Sequence, residues 1–122
     1  MNLQEINIII SKIKKKIYSP IYFLMGEETY YIDFITNLLE KNVLSEDEKN
    51  FNKTVLYGKD SSVEEVISYC KRYPIMSKYQ LVIIKEAQDL SRKIESLSSY
   101  ALMPLLSTCL LYTSDAADDG LS

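Results

Sequence analysis

The chain has 122 residues, 47% of them apolar and 25% charged, which is enough for one core and one domain of ordinary globular composition. A net charge of -3 and a pI near 5.0 exclude a protein whose main task is to coat duplex nucleic acid, since that draws on Lys and Arg clustered at phosphates. No histidine is present, which excludes His-based triads, imidazole acid-base chemistry and His metal sites.

From Asn2 to Lys16, Leu3, Ile6, Ile10, Ile13 and Ile17 recur at spacings of three and four, which predicts a helix of about four turns. Lys12, Lys14, Lys15 and Lys16 are read as its solvated face and last turn, where cations complement the helix dipole. The run Ile8-Ile9-Ile10 is too short for a secretory core, and no apolar run reaches membrane length. Cys70 and Cys109 lack the CxxC spacing of a zinc or disulfide framework, so a cytoplasmic, reducing compartment with no membrane contact is expected. Tyr18-Ser19-Pro20 ends the helix, and Ile21 to Met25 reads as a short buried strand closed by Gly26. Glu27-Glu28-Thr29 then opens a second helix, its stripe formed by Tyr31, Ile32, Ile35, Leu38 and Leu39 and its end near Asn42.

Ser45 to Asn50 is polar and without apolar periodicity, so a surface loop is expected there. Asn52 to Tyr57 is β-rich and stops at Gly58, the second strand. Ser62-Val63-Glu64-Glu65 has capping-box form, and Val63, Val66, Ile67 and Cys70 make the inner stripe of a helix closed by Pro74. Cys70 is thereby a core residue rather than a reactive thiol. Gln80 to Ala87 holds an unbroken aliphatic run, Leu81-Val82-Ile83-Ile84, of the kind covered by helices on both faces in mid-sheet. A further helix is expected over residues 92–100, with Ile94 and Leu97 inward, and Met103 to Thr108 approaches another strand. The alternation gives an α/β domain with a parallel sheet and flanking helices.

In such sheets function gathers past the carboxyl ends of the strands, which points to Lys85, Glu86 and the loops beside them. A nucleoside-triphosphatase needs a glycine-rich loop with Lys and Ser or Thr after the first strand, and Asp-Glu at the end of the aliphatic one. Here Gly26-Glu27-Glu28-Thr29 offers one glycine, two carboxylates and no lysine, and Lys85 stands where Asp would hold the metal. The topology of a P-loop domain is kept while both halves of its chemistry are missing.

Three segments carry a family resemblance: Pro20-Ile21-Tyr22-Phe23-Leu24-Met25-Gly26-Glu27-Glu28 with Tyr31-Ile32, then Phe51 to Asp60, then Arg72-Tyr73-Pro74-Ile75-Met76-Ser77 leading into Gln80 to Asp89. In this order they resemble the N-terminal domain of the delta-subunit family of bacterial DNA polymerase III. The resemblance implies a degenerate, AAA+-like P-loop domain without cofactor, metal or catalytic residue, working inside a loader that opens the sliding clamp for DNA replication. Its partners would be the clamp, the other clamp-loader subunits and, through the assembled complex, DNA; the holoenzyme it serves is a DNA-directed DNA polymerase, a nucleotidyltransferase. Carried over to this chain, the family's clamp contact falls on Ile75 and Met76, behind Pro74. Such a pair, rimmed by Lys71, Arg72, Lys78 and Tyr79, suits a plug for a hydrophobic pocket on an acidic partner. Alternatively, the two side chains fold back over the sheet edge, as most apolar residues beside a strand do.

Three other functions are weighed: an active P-loop hydrolase that binds a nucleoside triphosphate; direct nucleic-acid binding through Tyr22, Tyr30, Tyr31, Tyr57, Tyr69, Tyr73 and Tyr79; and acid chemistry by Glu27 and Glu28, which adjacent, diverging positions at a helix start disfavour. The tyrosines lack an interleaved basic stripe, which favours packing. After Thr108 the chain departs from the family, reading Cys109 to Ser122 in a manner that resembles the translation of a transposase mosaic-end adapter. The expected division is therefore an incomplete domain over 1–108 and a non-native tail over 109–122, the alternative being a genuine acidic tail. Without the collar that follows in the family, such a fragment is not expected to assemble into a loader by itself.

Overall fold

The computed structural model describes residues 3–26, 29–90 and 94–114. Helix α1 (Leu3–Lys14) leads into strand β1 (Ile21–Met25), and helices α2 (Thr29–Val43) and α3 (Glu46–Asn52) precede β2 (Lys53–Tyr57). Helix α4 (Val63–Cys70), β3 (Gln80–Lys85), α5 (Ile94–Leu102) and β4 (Thr108–Ser114) complete the order. The strands form one parallel sheet in the order β1-β4-β3-β2. β3 is interior, as its aliphatic run predicts.

Alternation along β3 builds two cores. Leu81 and Ile83 face Ile6 and Ile13 of α1 and Ile32, Ile35 and Leu39 of α2. Val82 and Ile84 face Val63, Val66 and Cys70 of α4 and Leu97 and Tyr100 of α5. All four strand residues are fully buried, which is why this strand carries no polar residue between Gln80 and Lys85. The predicted inner stripe of α1 is narrower than its spacing implied: Ile6 and Ile13 are buried, whereas Leu3 is exposed and Ile17 lies beyond the helix. α1 stops because Lys16 turns left-handed (φ 61°) and the Ile17 amide bonds back to the Lys12 carbonyl at 2.9 Å.

Two expectations are corrected. The loop expected over Ser45–Asn50 is helix α3, started by Ser45, whose hydroxyl accepts from the Glu48 amide while the Glu48 carboxylate accepts from the Ser45 amide at 2.8 Å. This reciprocal cap and three acids in the first turn hold a helix that has no apolar stripe to announce it. Asn52, read as the start of β2, is instead the last residue of α3. The strand expected after Met103–Thr108 is β4, which opens at Thr108 and runs through Cys109 to Ser114. Cys-Leu-Leu-Tyr-Thr is apolar and β-prone enough to seat between β1 and β3, with Leu110 and Leu111 fully buried. The sheet thus continues past residue 108 to Ser114, and the remainder of the tail, 115–122, lies outside the described residues, as do Glu27, Glu28 and Arg92.

At the carboxyl end of the sheet, turns over Gly58–Asp60 and Ala87–Asp89 pack together. A Cβ on Gly58 would sit 2.2 Å from the Glu86 carbonyl oxygen, so this contact admits only glycine.

Candidate functional site

Two regions compete, at opposite ends of the sheet. A cleft of about 520 Å³ runs from Lys85, Glu86 and Thr29 at the carboxyl end of the sheet, past Asp33, to Glu40 and Lys53 nearer its amino end. Inside it Lys53 Nζ lies 2.6 Å from Glu40 Oε1, an ion pair that ties β2 to α2. Lys85 is exposed and Glu86 takes a left-handed conformation (φ 54°). Its walls mix cations and anions instead of presenting one sign of charge to a ligand. Among the described residues no three His, Cys, Asp or Glu converge as metal ligands.

The loop over 71–79 joins α4 to β3 at the amino end, one strand length, about 20 Å, from Lys85. Its anchors are buried amides. Gln80, 7% exposed, directs its side-chain NH₂ to the carbonyls of Tyr69 (3.0 Å) and Arg72 and to the Thr108 hydroxyl (2.8 Å). Thr108 in turn donates to the Cys70 carbonyl at 2.7 Å. The last carbonyls of α4, which have no partner within the helix, are thereby satisfied from β3 and β4. On the other side Asn52, 3% exposed, accepts from the Ile75 amide at 2.6 Å and donates to the Ile75 carbonyl at 2.8 Å. Ser77 closes a local turn on Tyr79, and the Tyr79 ring packs edge-on against Tyr18 at 5.3 Å. Ser77 also helps, after the Ser45 amide, to hold the Glu48 carboxyl below its ordinary value, which links α3 to the loop.

Between these anchors the side chains point outward. Ile75 is 46% and Met76 97% exposed, and Met76 occupies the left-handed region at φ 52°. A straight-chain residue there carries roughly 1–2 kcal/mol of backbone strain, held in place by the surrounding hydrogen bonds. Pro74 is half-buried at the base of the loop, while Lys71, Arg72, Tyr73 and Lys78 form an exposed rim. Arg72 lies over the Tyr69 ring, 5.3 Å from its centroid. Of the predicted site residues, Pro74, Ile75 and Met76 are thus brought together. The residues that hold them, Asn52 and Gln80, were missed by sequence reasoning, as was the exposed Phe51 beside Asn52. A lone Asn before a strand and a Gln at its start give no periodic signal.

A family model described as DNA polymerase III, delta subunit, matches residues 22–115. The DNA polymerase III subunit delta of Bacillus subtilis (strain 168) is 25% identical over 101 residues, covering 75% of this chain and 29% of that protein. The solved structure of the Bacillus subtilis DNA clamp loader delta protein superposes with a TM-score of 0.84 at 23% identity, over 93% of this chain and 37% of that one. A DNA polymerase III gamma subunit-related protein from Thermotoga maritima gives a TM-score of 0.63 at 12% identity, over 89% of this chain and 38% of that one. The chain spans about three-tenths of the curated relative's length.

Proposed function

The chain belongs to the DNA polymerase III delta-subunit family, and from that membership we propose that it is part of a non-catalytic clamp-loader subunit whose 74–76 loop docks on the sliding clamp. The observation that supports this reading is an apolar pair, Ile75 and Met76, exposed on a loop whose backbone is fixed at both ends. Exposed apolar residues usually lie singly; a pair on a rigid, basic-rimmed projection suits a hydrophobic pocket on an acidic protein. The alternative, that both side chains fold back over the sheet, does not describe a methionine in nearly full contact with solvent. Opening of the clamp, contact with other loader subunits and DNA contact within the assembled complex belong to the same proposal. The P-loop reading gains no support from this cleft, where Lys85 occupies the position at which a P-loop domain carries its metal-binding Asp.

Replacing Ile75→Ser and Met76→Ser together tests the assignment in a pull-down with the clamp. Binding is expected to be lost while the melting temperature is kept, because neither side chain is part of a buried core. Clamp capture equal to that of the parent chain would remove the assignment.

A further inference from the structure

The docking loop is held on its outer side by one buried side chain, and that side chain belongs to a different element. Asn52 ends α3, and its carboxamide pairs with both the amide and the carbonyl of Ile75, at 2.6 and 2.8 Å. The same NH₂ donates to the Glu48 carbonyl at 3.1 Å, so the group is fixed from behind by the helix it closes. An amide that satisfies a backbone N–H and C=O at once behaves like a short piece of β-strand. It fixes the peptide plane on each side of Ile75 and so leaves the next residue, Met76, to make the turn alone. Met76 makes it in the left-handed region and faces solvent.

We propose that Asn52 is a positioning residue for partner binding: without touching the clamp, it holds Ile75 and Met76 in the projecting conformation that the clamp recognises. This rests on the docking role of Ile75 and Met76 proposed above. A loop presented in its bound conformation avoids the ordering cost that a mobile one meets on association. Loss of the Asn52 clamp should therefore weaken binding by about tenfold, the equivalent of roughly one ordered side chain or turn.

The test is calorimetric titration of the sliding clamp with the parent chain, Asn52→Ala, Asn52→Asp, Met76→Ala and the Asn52→Ala/Met76→Ala pair, alongside amide exchange of Ile75. Asn52→Ala should bind about tenfold more weakly and exchange the Ile75 amide faster, with Gln80 protection unchanged. Asn52→Asp keeps the acceptor but turns a carboxylate oxygen on the Ile75 and Glu48 carbonyls, and should weaken binding at least as much as Asn52→Ala. In the pair, the losses should be less than additive, because a loop already lacking its methionine gains little from being held. A purely structural Asn52 would lower the melting temperature, leave affinity unchanged for the folded fraction and give additive losses; that result overturns the proposal. If Asn52→Ala does not fold, Asn52→Asp decides: parental affinity overturns the proposal and weakened affinity of the folded protein supports it. Should Ile75→Ser with Met76→Ser leave binding intact, the docking role itself has failed; should that pair abolish binding while Asn52→Ala binds like the parent, only the positioning role has failed.

Discussion

At the scale of single residues, burial governs the chemistry of the two cysteines. Cys70 and Cys109 lie in opposite cores, and burial pushes both thiols from an ordinary 9.0 up to about 12. Burial also raises Tyr18, Tyr22, Tyr100 and Tyr112. These groups stay protonated in the folded chain where the unfolded chain would already release the proton. The stability they support is therefore complete below about pH 9 and declines as pH climbs toward 12. Urea midpoints measured from pH 8 to 11 should fall across that interval, and iodoacetamide should label either cysteine only as urea unfolds the chain. Stoichiometric labelling in native buffer would contradict this. The expectation that Cys70 is a core residue agrees with its full burial.

Among the elements, legibility followed periodicity. β1, α2, α4 and β3 were readable because apolar residues repeat at 2 or 3.6 or run unbroken, and their buried residues are largely the predicted ones. α3 was not readable by that rule, since Glu-Asp-Glu-Lys-Asn-Phe-Asn has no inward stripe and its longest apolar side chain, Phe51, faces solvent. Its signal was instead Ser45 followed three residues later by Glu48, the same box form that disclosed α4. Ser45→Ala should lower stability by about 1 kcal/mol and speed amide exchange in α3, as read by urea denaturation and exchange at neutral pH. Unchanged exchange over 46–52 would mean that the cap does not hold the helix. The Glu48 half of the box works while its carboxylate is ionised, so it is retained above the ordinary carboxyl value and lost as pH falls through the lowered one. The site was half legible: Ile75 and Met76 stood out only against a family pattern, whereas Asn52 and Gln80 act through contacts 23 and 8 or more residues distant that no local spacing encodes.

Over the whole molecule, the proposed docking loop lies at the amino end of the sheet, away from the carboxyl ends of the strands to which the sequence pointed. The carboxyl end retains a cleft but lines it with mixed charge, Lys85 and Glu86 among it, while the amino end projects the fixed apolar loop. The rule for open α/β sheets concerns small ligands, which need a crevice between loops; a protein partner needs a protrusion, and either end of a sheet can supply one. Residues 109–114 complete the sheet that supports this loop, through Thr108 and the pairing of β3 with β4. We retain as a proposal that residues 109–122 derive from adapter sequence, which the underlying nucleotides would decide. The chain has four methionines, Met1, Met25, Met76 and Met103, so labelling their methyl carbons and titrating unlabelled sliding clamp reads the docking contact directly by NMR. The Met76 methyl signal should shift or broaden to completion at one equivalent of clamp, with Met25 at the far end of β1 unmoved. Clamp binding that leaves the Met76 signal in place, or no binding at all, would contradict the account.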